Sequence, residues 1–224
     1  MTRNEIHDIL DAHEAWVRGD GGRQANFRGA NLSCTKKLRC ANLARAVFTD
    51  MDLRSADLTG ACLEGARFIR SDLSDADLSH ALLAGAHLSH CVLVEADLTG
   101  AELPRARIFQ TNFYAAILTG ANFFRAEMEE TNFEGACLNW NSHDLLCALL
   151  EPCAAGDLER ERWVSWIRFR QDLCWDDFAR TIPAEVLDWG FSCLVPYLRV
   201  GDGAPKLLKR YRRRKRIGRW IGKN

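Results

Sequence analysis

The amino-acid sequence predicts a mainly β solenoid of square coils, followed by a small α-helical domain and a basic C-terminal helix or tail. Three observations carry this. A Leu, Phe or close substitute recurs every fifth residue, at Phe27 and Leu32 and then from Leu38 to Leu138, which makes 23 centres. Of the positions two residues before a centre, 17 are Ala. The later exceptions, Met51, Ser71, Cys91, Thr111 and Thr131, lie twenty residues apart. A period of five fits neither the 3.6 of a helix nor the 2 of a strand. If each pentad forms one side of a coil, twenty residues close a turn, and equivalent positions stack at ~4.8 Å. A bare five-residue repeat has no reason to show a twenty-residue sub-period; four sides per coil supply one.

From the N-terminus, Thr2-Arg3-Asn4-Glu5 has capping-box spacing, and Ile6, Ile9, Leu10, His13, Trp16 and Val17 follow at helical intervals until Gly19 and Gly21-Gly22. Residues 1–24 are read as a capping helix and turn, residues 25–140 as the solenoid. Runs such as Ala56-Asp57-Leu58-Thr59-Gly60 and Ala96-Asp97-Leu98-Thr99-Gly100 resemble the pentapeptide-repeat family, Ala-(Asp/Asn)-Leu-x-x. The resemblance implies a right-handed quadrilateral β-helix with the centre and the residue two before it pointing inward. The leader through Ala25 is similar to that of other bacterial and phage members. One extra residue separates Leu32 from Leu38, with Lys36 in place of Ala, so a bulge or distorted corner is expected there.

After Trp140 helical spacing takes over. Helices are expected over about Ser142–Cys153, Asp157–Gln171, Trp175–Arg180 and Pro183–Val200, forming a domain at 141–200. Trp163, Trp166, Trp175 and Trp189, with Leu145, Leu149, Phe178 and Phe191 among their neighbours, supply a small core, part of it against the last coil. Gly201-Asp202-Gly203-Ala204-Pro205 reads as a linker into the tail, 201–224.

Composition and motifs bound the function. No apolar run reaches the ~18 residues of a membrane span and no leader reads as a signal peptide, so a cytoplasmic location is expected. Nine scattered Cys without a Cys-x-x-Cys pair suit reduced thiols. His87, His90 and Cys91 are close in sequence, but twenty-residue stacking sets His87 between Arg67 and Arg107 and His90 over Arg70, and turns Cys91 inward; cations repel a metal ion. There is no phosphate-cradling Gly loop and no Gly-x-Ser-x-Gly or His-Glu-x-x-His motif. A protein without catalytic residues, cofactor, metal or small-molecule substrate is expected.

Net charge zero hides a division. Residues 206–224 hold ten Lys and Arg and no acid, leaving −10 on the rest, yet residues 25–140 carry only −3. Stacking by twenties gathers Asp57, Asp77 and Asp97 in one column, Asp52 and Asp72 on the adjacent side, and Asp75 and Glu95 near them, a candidate acidic interaction face. Arg45, Arg67, Arg70, Arg105, Arg107 and Arg125 form a basic flank. In the tail, Lys209, Arg210, Arg212, Arg213, Arg214, Lys215 and Arg216 are the candidate contacts for nucleic acid or another anionic partner. A peripheral membrane contact, the chain's own acidic surface and a plain solubilising tail are the competing readings.

The leading expectation is a rigid scaffold that binds another macromolecule, foremost a protein, through the prism surface and basic arm. The resemblance also implies an alternative, since quinolone-resistance members bind DNA gyrase by imitating DNA. About six coils span ~28 Å, along which duplex DNA presents roughly 16 phosphates. A net −3 falls far short of that.

Overall fold

The computed structural model describes residues 3–170, 174–198 and 203–216. The chain divides into two compact units, Met1–Cys137 and Leu138–Asn224.

The first unit is a parallel β-solenoid. Its longest bridged segments are β1 (Asn26–Arg28), β2 (Val47–Thr49), β3 (Arg67–Ile69), β4 (His87–Ser89), β5 (Arg107–Phe109) and β6 (Glu127–Glu129), which pair in chain order as one parallel sheet. From β2 onward partners lie twenty residues apart, as in Phe48↔Phe68 and Phe68↔Leu88. The other sides are held by single bridges such as Asp52↔Asp72, Asp57↔Asp77 and Cys62↔Leu82. Centres and their Ala columns fill the interior, and Leu58, Leu63, Phe68, Ala56 and Ala61 are fully buried. Phe27, Phe48 and Phe68 stack ring on ring at 5.1 and 4.6 Å.

The extra residue lengthens the first coil. β1 pairs with β2 at a spacing of twenty-one, Phe27↔Phe48, and Asn31 with Asp52 likewise. The slack is absorbed around Thr35–Leu38. There Asp57 N–H donates to Thr35 C=O at 2.8 Å, one residue earlier than in the regular pattern of Asp77 N–H to Ala56 C=O.

The twenty-residue sub-period has a cause that spacing does not reveal. At three corners of each coil the amide of the inward residue closes a tight turn onto the preceding centre, as in Ala56 to Leu53 and Ala66 to Leu63, both 3.0 Å. At the fourth corner, after the β1–β6 side, no such bond forms among the described residues. The inward side chains replace it. Met51 N–H donates to Ser71 Oγ at 3.3 Å, and the Ser71 and Thr111 hydroxyls lie 3.3 and 3.2 Å from the carbonyls of Phe48 and Leu88.

A further regularity concerns the backbone. Every fifth residue from Cys40 to Gly135 has a left-handed conformation, with φ between 47° and 71°. Gly adopts this freely, whereas Arg45, Asp75, Glu95, Arg105 and Arg125 hold it at a cost.

Helix α1 (Arg3–Arg18) precedes the first coil. The Thr2 half of the expected capping box lies outside the described residues. At Gly22, φ +78, the chain folds back so closely that a Cβ would sit 2.1 Å from Ala12 O. This return places His13, fully buried, where its Nδ1 accepts from Ala25 N–H at 3.0 Å.

The second unit holds α2 (His143–Ala154), α3 (Leu158–Phe169), α4 (Trp175–Thr181), α5 (Ala184–Leu194) and α6 (Lys206–Arg216). Ser142 and Asp157 cap α2 and α3 with their side-chain oxygens. The helix expected over Pro183–Val200 is shorter. α5 stops at Leu194 and passes into a 3-10 turn at Val195–Tyr197, because Pro196 has no amide to continue the ladder and its ring opposes the carbonyl four residues back. Gln171, Val200, Gly201 and Asp202 lie outside the described residues. Trp175, Phe178, Phe191 and Leu194 line an apolar cavity with Leu146, Leu150 and Trp189.

Candidate functional site

Three surfaces carry the side chains singled out in the sequence. On the acidic one, Asp57, Asp77 and Asp97 bridge in register as one column, and Asp52 and Asp72 pair on the adjacent side. Asp75 and Glu95 occupy the left-handed corner positions between those two sides, at φ 57° and 59°.

These carboxylates have a local task. In each column Asp one oxygen accepts the amide two residues on: Thr59 for Asp57, Ser74 for Asp72, Ser79 for Asp77 and Thr99 for Asp97, at 2.8–3.1 Å. The Ser74 and Ser79 hydroxyls add a second donor. Burial opposes ionisation of Asp77, but the Ser79 hydroxyl and amide, the Thr59 side chain and the Arg39 charge together outweigh it, and the carboxyl stays below its ordinary range. Asp52 is neutralised by a bidentate Arg54 at 2.9 and 2.8 Å, which holds its pKa down. The face is less negative than the row of Asp suggests.

Sequence reasoning missed the apolar continuation of this face. Along the same columns toward the C-terminal coils, Asp72 is followed by Val92 and Asp97 by Ile117. Val92 is 37% exposed, Ile117 38% and Tyr114, on the Val92 side, 43%. The signal was present: an outward position occupied by Asp in earlier coils turns apolar with no core to fill.

On the basic flank, Arg67, His87 and Arg107 stand in register on β3, β4 and β5. Burial lowers the His87 pKa first, and the Arg107 and Arg67 charges lower it further. Arg70 is different, since it grips Asp50 at 2.7 and 3.0 Å. Cys91 is buried and its thiol is pushed up to about 11 by desolvation, which suppresses the thiolate. Among the described residues no group of three His, Cys, Asp or Glu is arranged to hold a metal ion.

The third surface is α6. Leu208 and Tyr211 are buried; the Tyr211 ring meets Phe191 edge-on at 5.4 Å, and its hydroxyl donates to Asp188 C=O at 3.1 Å. Tyr211 therefore anchors the arm to α5 and does not present a face for stacking on bases. Arg212 donates to Leu198 C=O at 3.0 Å, whereas Arg210 and Arg213 are exposed. The side chains of Arg214, Lys215 and Arg216, and the whole of residues 217–224 with Trp220, lie outside the described residues. No helix among the described residues is long and apolar enough to cross a membrane.

A family model for pentapeptide repeats, eight copies, matches residues 37–69, 71–108 and 106–140. Solved structures with the same repeat are similar to this chain. A trypsin-treated variant of QnrB1, a plasmid-mediated fluoroquinolone resistance protein, is 19% identical over 51% of this chain and 67% of its own, with a TM-score of 0.43. A pentapeptide repeat protein from the thylakoid lumen of Arabidopsis thaliana is 30% identical over 51% of this chain and 65% of its own, TM-score 0.29. HetL, involved in heterocyst differentiation regulation in the cyanobacterium Nostoc sp. strain PCC 7120, is 29% identical over 52% and 63%, TM-score 0.26. The match to the latter two spans a little under two thirds of their length. No curated protein matches the chain.

Proposed function

Because its solenoid is a run of pentapeptide repeats and belongs to that family, we propose that this chain is a non-enzymatic scaffold that holds a protein partner against the adjoining acidic and apolar sides of the prism. One observation carries the reading: Val92, Tyr114 and Ile117 are exposed together on adjoining sides, beside Asp72, Asp75, Asp77, Glu95 and Asp97. An apolar centre with a charged rim is the anatomy of a protein interface. Coil-to-coil hydrogen bonds fix every side, so the surface is preorganised and little entropy is lost on binding. The basic arm on α6 is a second contact region, and the whole is expected to act in the cytoplasm.

The test is a pull-down from native lysate with the full chain, a Tyr114→Asp/Ile117→Asp variant and a form lacking residues 206–224, each with and without nuclease. A partner retained by the full chain after nuclease and lost with the double variant supports the reading. Retention by the double variant removes the apolar face from it.

The in-register Asp57–Asp77–Asp97 column favours a second reading, a DNA-mimic modulator of gyrase or another topoisomerase. Charge reversal at all three positions should then abolish any effect on supercoiling in a folded protein. An undiminished effect rejects the mimic.

A further inference from the structure

Along the axis of the solenoid, polar neighbours twenty residues apart usually complement each other. Asp50 takes Arg70, Glu102 takes Asn122, Glu130 takes Gln110, and Asn112 takes Asn132. The strand side departs from this pattern, as the Asp57–Asp77–Asp97 column also does. Arg67, His87 and Arg107 are outward and in register on three consecutive strands. Arg45, Arg105 and Arg125 stand at the corner that leads into the same side, two residues ahead of β2, β5 and β6. All five arginines are exposed. Among the described residues, Arg45, Arg67, Arg105 and Arg125 have no carboxylate within 4.0 Å, and Arg107 alone reaches one, Glu127 at 3.3 Å.

Like charges stacked across parallel strands destabilise a sheet. A stack of exposed like charges left without counter-charges is a place at which stability is conceded to function. His87 stands between the Arg67 and Arg107 charges, which add to burial in lowering its pKa against an opposing pull from Glu127.

Two exposed phenyl rings flank the arginines. Phe109, on β5 two residues past Arg107, is 36% exposed; Phe124 is 41% exposed, with the Arg125 guanidinium 5.1 Å from its ring centre. Every free cation of the run is Arg, the side chain that meets a phosphate with a planar pair of donors. The corner from Arg45 to Arg125 covers four coil steps, about 19 Å. Glu127, Glu129 and Glu130 on and after β6 bound the run at its C-terminal end, and Glu64 and Glu102 lie on the side before the corner.

We propose that this strand side binds single-stranded nucleic acid, with Arg45, Arg67, Arg105, Arg107 and Arg125 meeting phosphates and Phe109 and Phe124 stacking on bases. A single strand fits and a duplex does not: exposed rings need unpaired bases, and a flat side of three-residue strands offers no helix or ribbon to enter a major groove. The surface draws on no residue of the acidic and apolar faces or of α6, so this inference stands or falls independently of the scaffold reading.

The experiment is fluorescence anisotropy of labelled dT15 with the full chain at 50 and 200 mM NaCl. Wild type should bind, more weakly at the higher salt. Arg67→Glu/Arg107→Glu should bind at least tenfold more weakly and flatten the salt slope by roughly 1.4, at ~0.7 per contact for single strands. Phe124→Ala should weaken binding roughly 5- to 100-fold. Thermal midpoints establish that the variants are folded, and Arg67→Gln/Arg107→Gln replaces the charge reversal if that variant fails to fold. Absence of binding at 50 mM NaCl overturns the proposal. So does unchanged affinity in the arginine variant combined with loss in a Lys209→Glu/Arg210→Glu/Arg213→Glu variant, which moves the site to α6. Polyglutamate that displaces dT15 as well as unlabelled dT15 does, together with normal binding by Phe124→Ala, also overturns it and assigns the side to an acidic protein segment.

Discussion

Replacing Ser71 with Ala makes the sequence more regular, because Ala fills 17 of the 23 equivalent positions, and it should nevertheless destabilise the solenoid. Ser71 is 1% exposed and sits at the one corner where the inward amide finds no backbone carbonyl. Its Oγ is the acceptor for Met51 N–H at 3.3 Å, and Met51 is itself buried. The Ile69 carbonyl that the hydroxyl also approaches keeps a donor in Asp50 N–H, so the amide is the group left stranded. A buried, unpaired N–H costs about 1–3 kcal/mol. Ala introduces no clash and no large cavity to add to that. For a chain of this size the loss corresponds to a fall in Tm of roughly 2 to 12 °C. Thermal unfolding followed by far-UV circular dichroism measures it, with Ser71→Thr, which keeps the hydroxyl and matches Thr111 in the same column, expected to lose less than Ser71→Ala. A Ser71→Ala protein as stable as wild type, or more so, refutes the role assigned to this corner.

Leu78→Asp removes a buried side chain worth about 2–5 kcal/mol on truncation and adds a charge with no partner between coils, so no soluble folded protein is expected. Asp77→Ala, one residue away, gives up the Ser79 and Thr59 hydrogen bonds and the attraction of Arg39 and should remain folded, weaker by about 1–3 kcal/mol; equal thermal stability of the two variants contradicts the inward and outward assignment. Burial lowers the His13 pKa, with a smaller opposing contribution from the Ala44 backbone. The native state therefore resists protonation while the unfolded chain takes up a proton near ~6.5. Stability should fall as pH drops below that value and level off once pH is under the folded pKa. The fall in Tm from pH 7.5 to 5.0 should be smaller in His13→Gln, and an identical fall in both proteins would exclude His13 as the cause.

How far the sequence reached follows from which interactions are periodic. Stacking forces each inward position to repeat every coil, so five-residue spacing displayed the core, and the non-Ala column displayed the four sides. The extra residue before Leu38 announced the longer first coil for the same reason. Helix ends in the second unit were legible where a cap such as Ser142 or Asp157 advertised them. The end of α5 was misplaced because Pro196 sits within an otherwise continuous apolar pattern. Outward positions are not constrained by stacking, so their chemistry had to be read column by column. That sufficed for the Asp rows but missed Val92, Tyr114 and Ile117.

The sequence alone determined that the chain winds into square coils with Leu, Phe and Ala inside, since only stacked pentads bury them all. The tertiary structure decided what each polar group does. It gave Ser71 an amide from the preceding coil and buried Tyr211 against Phe191. A repeat fixes which residues face inward through backbone periodicity, but hydrogen-bond partners twenty or more residues apart are fixed by three-dimensional distance, which no spacing in the chain encodes.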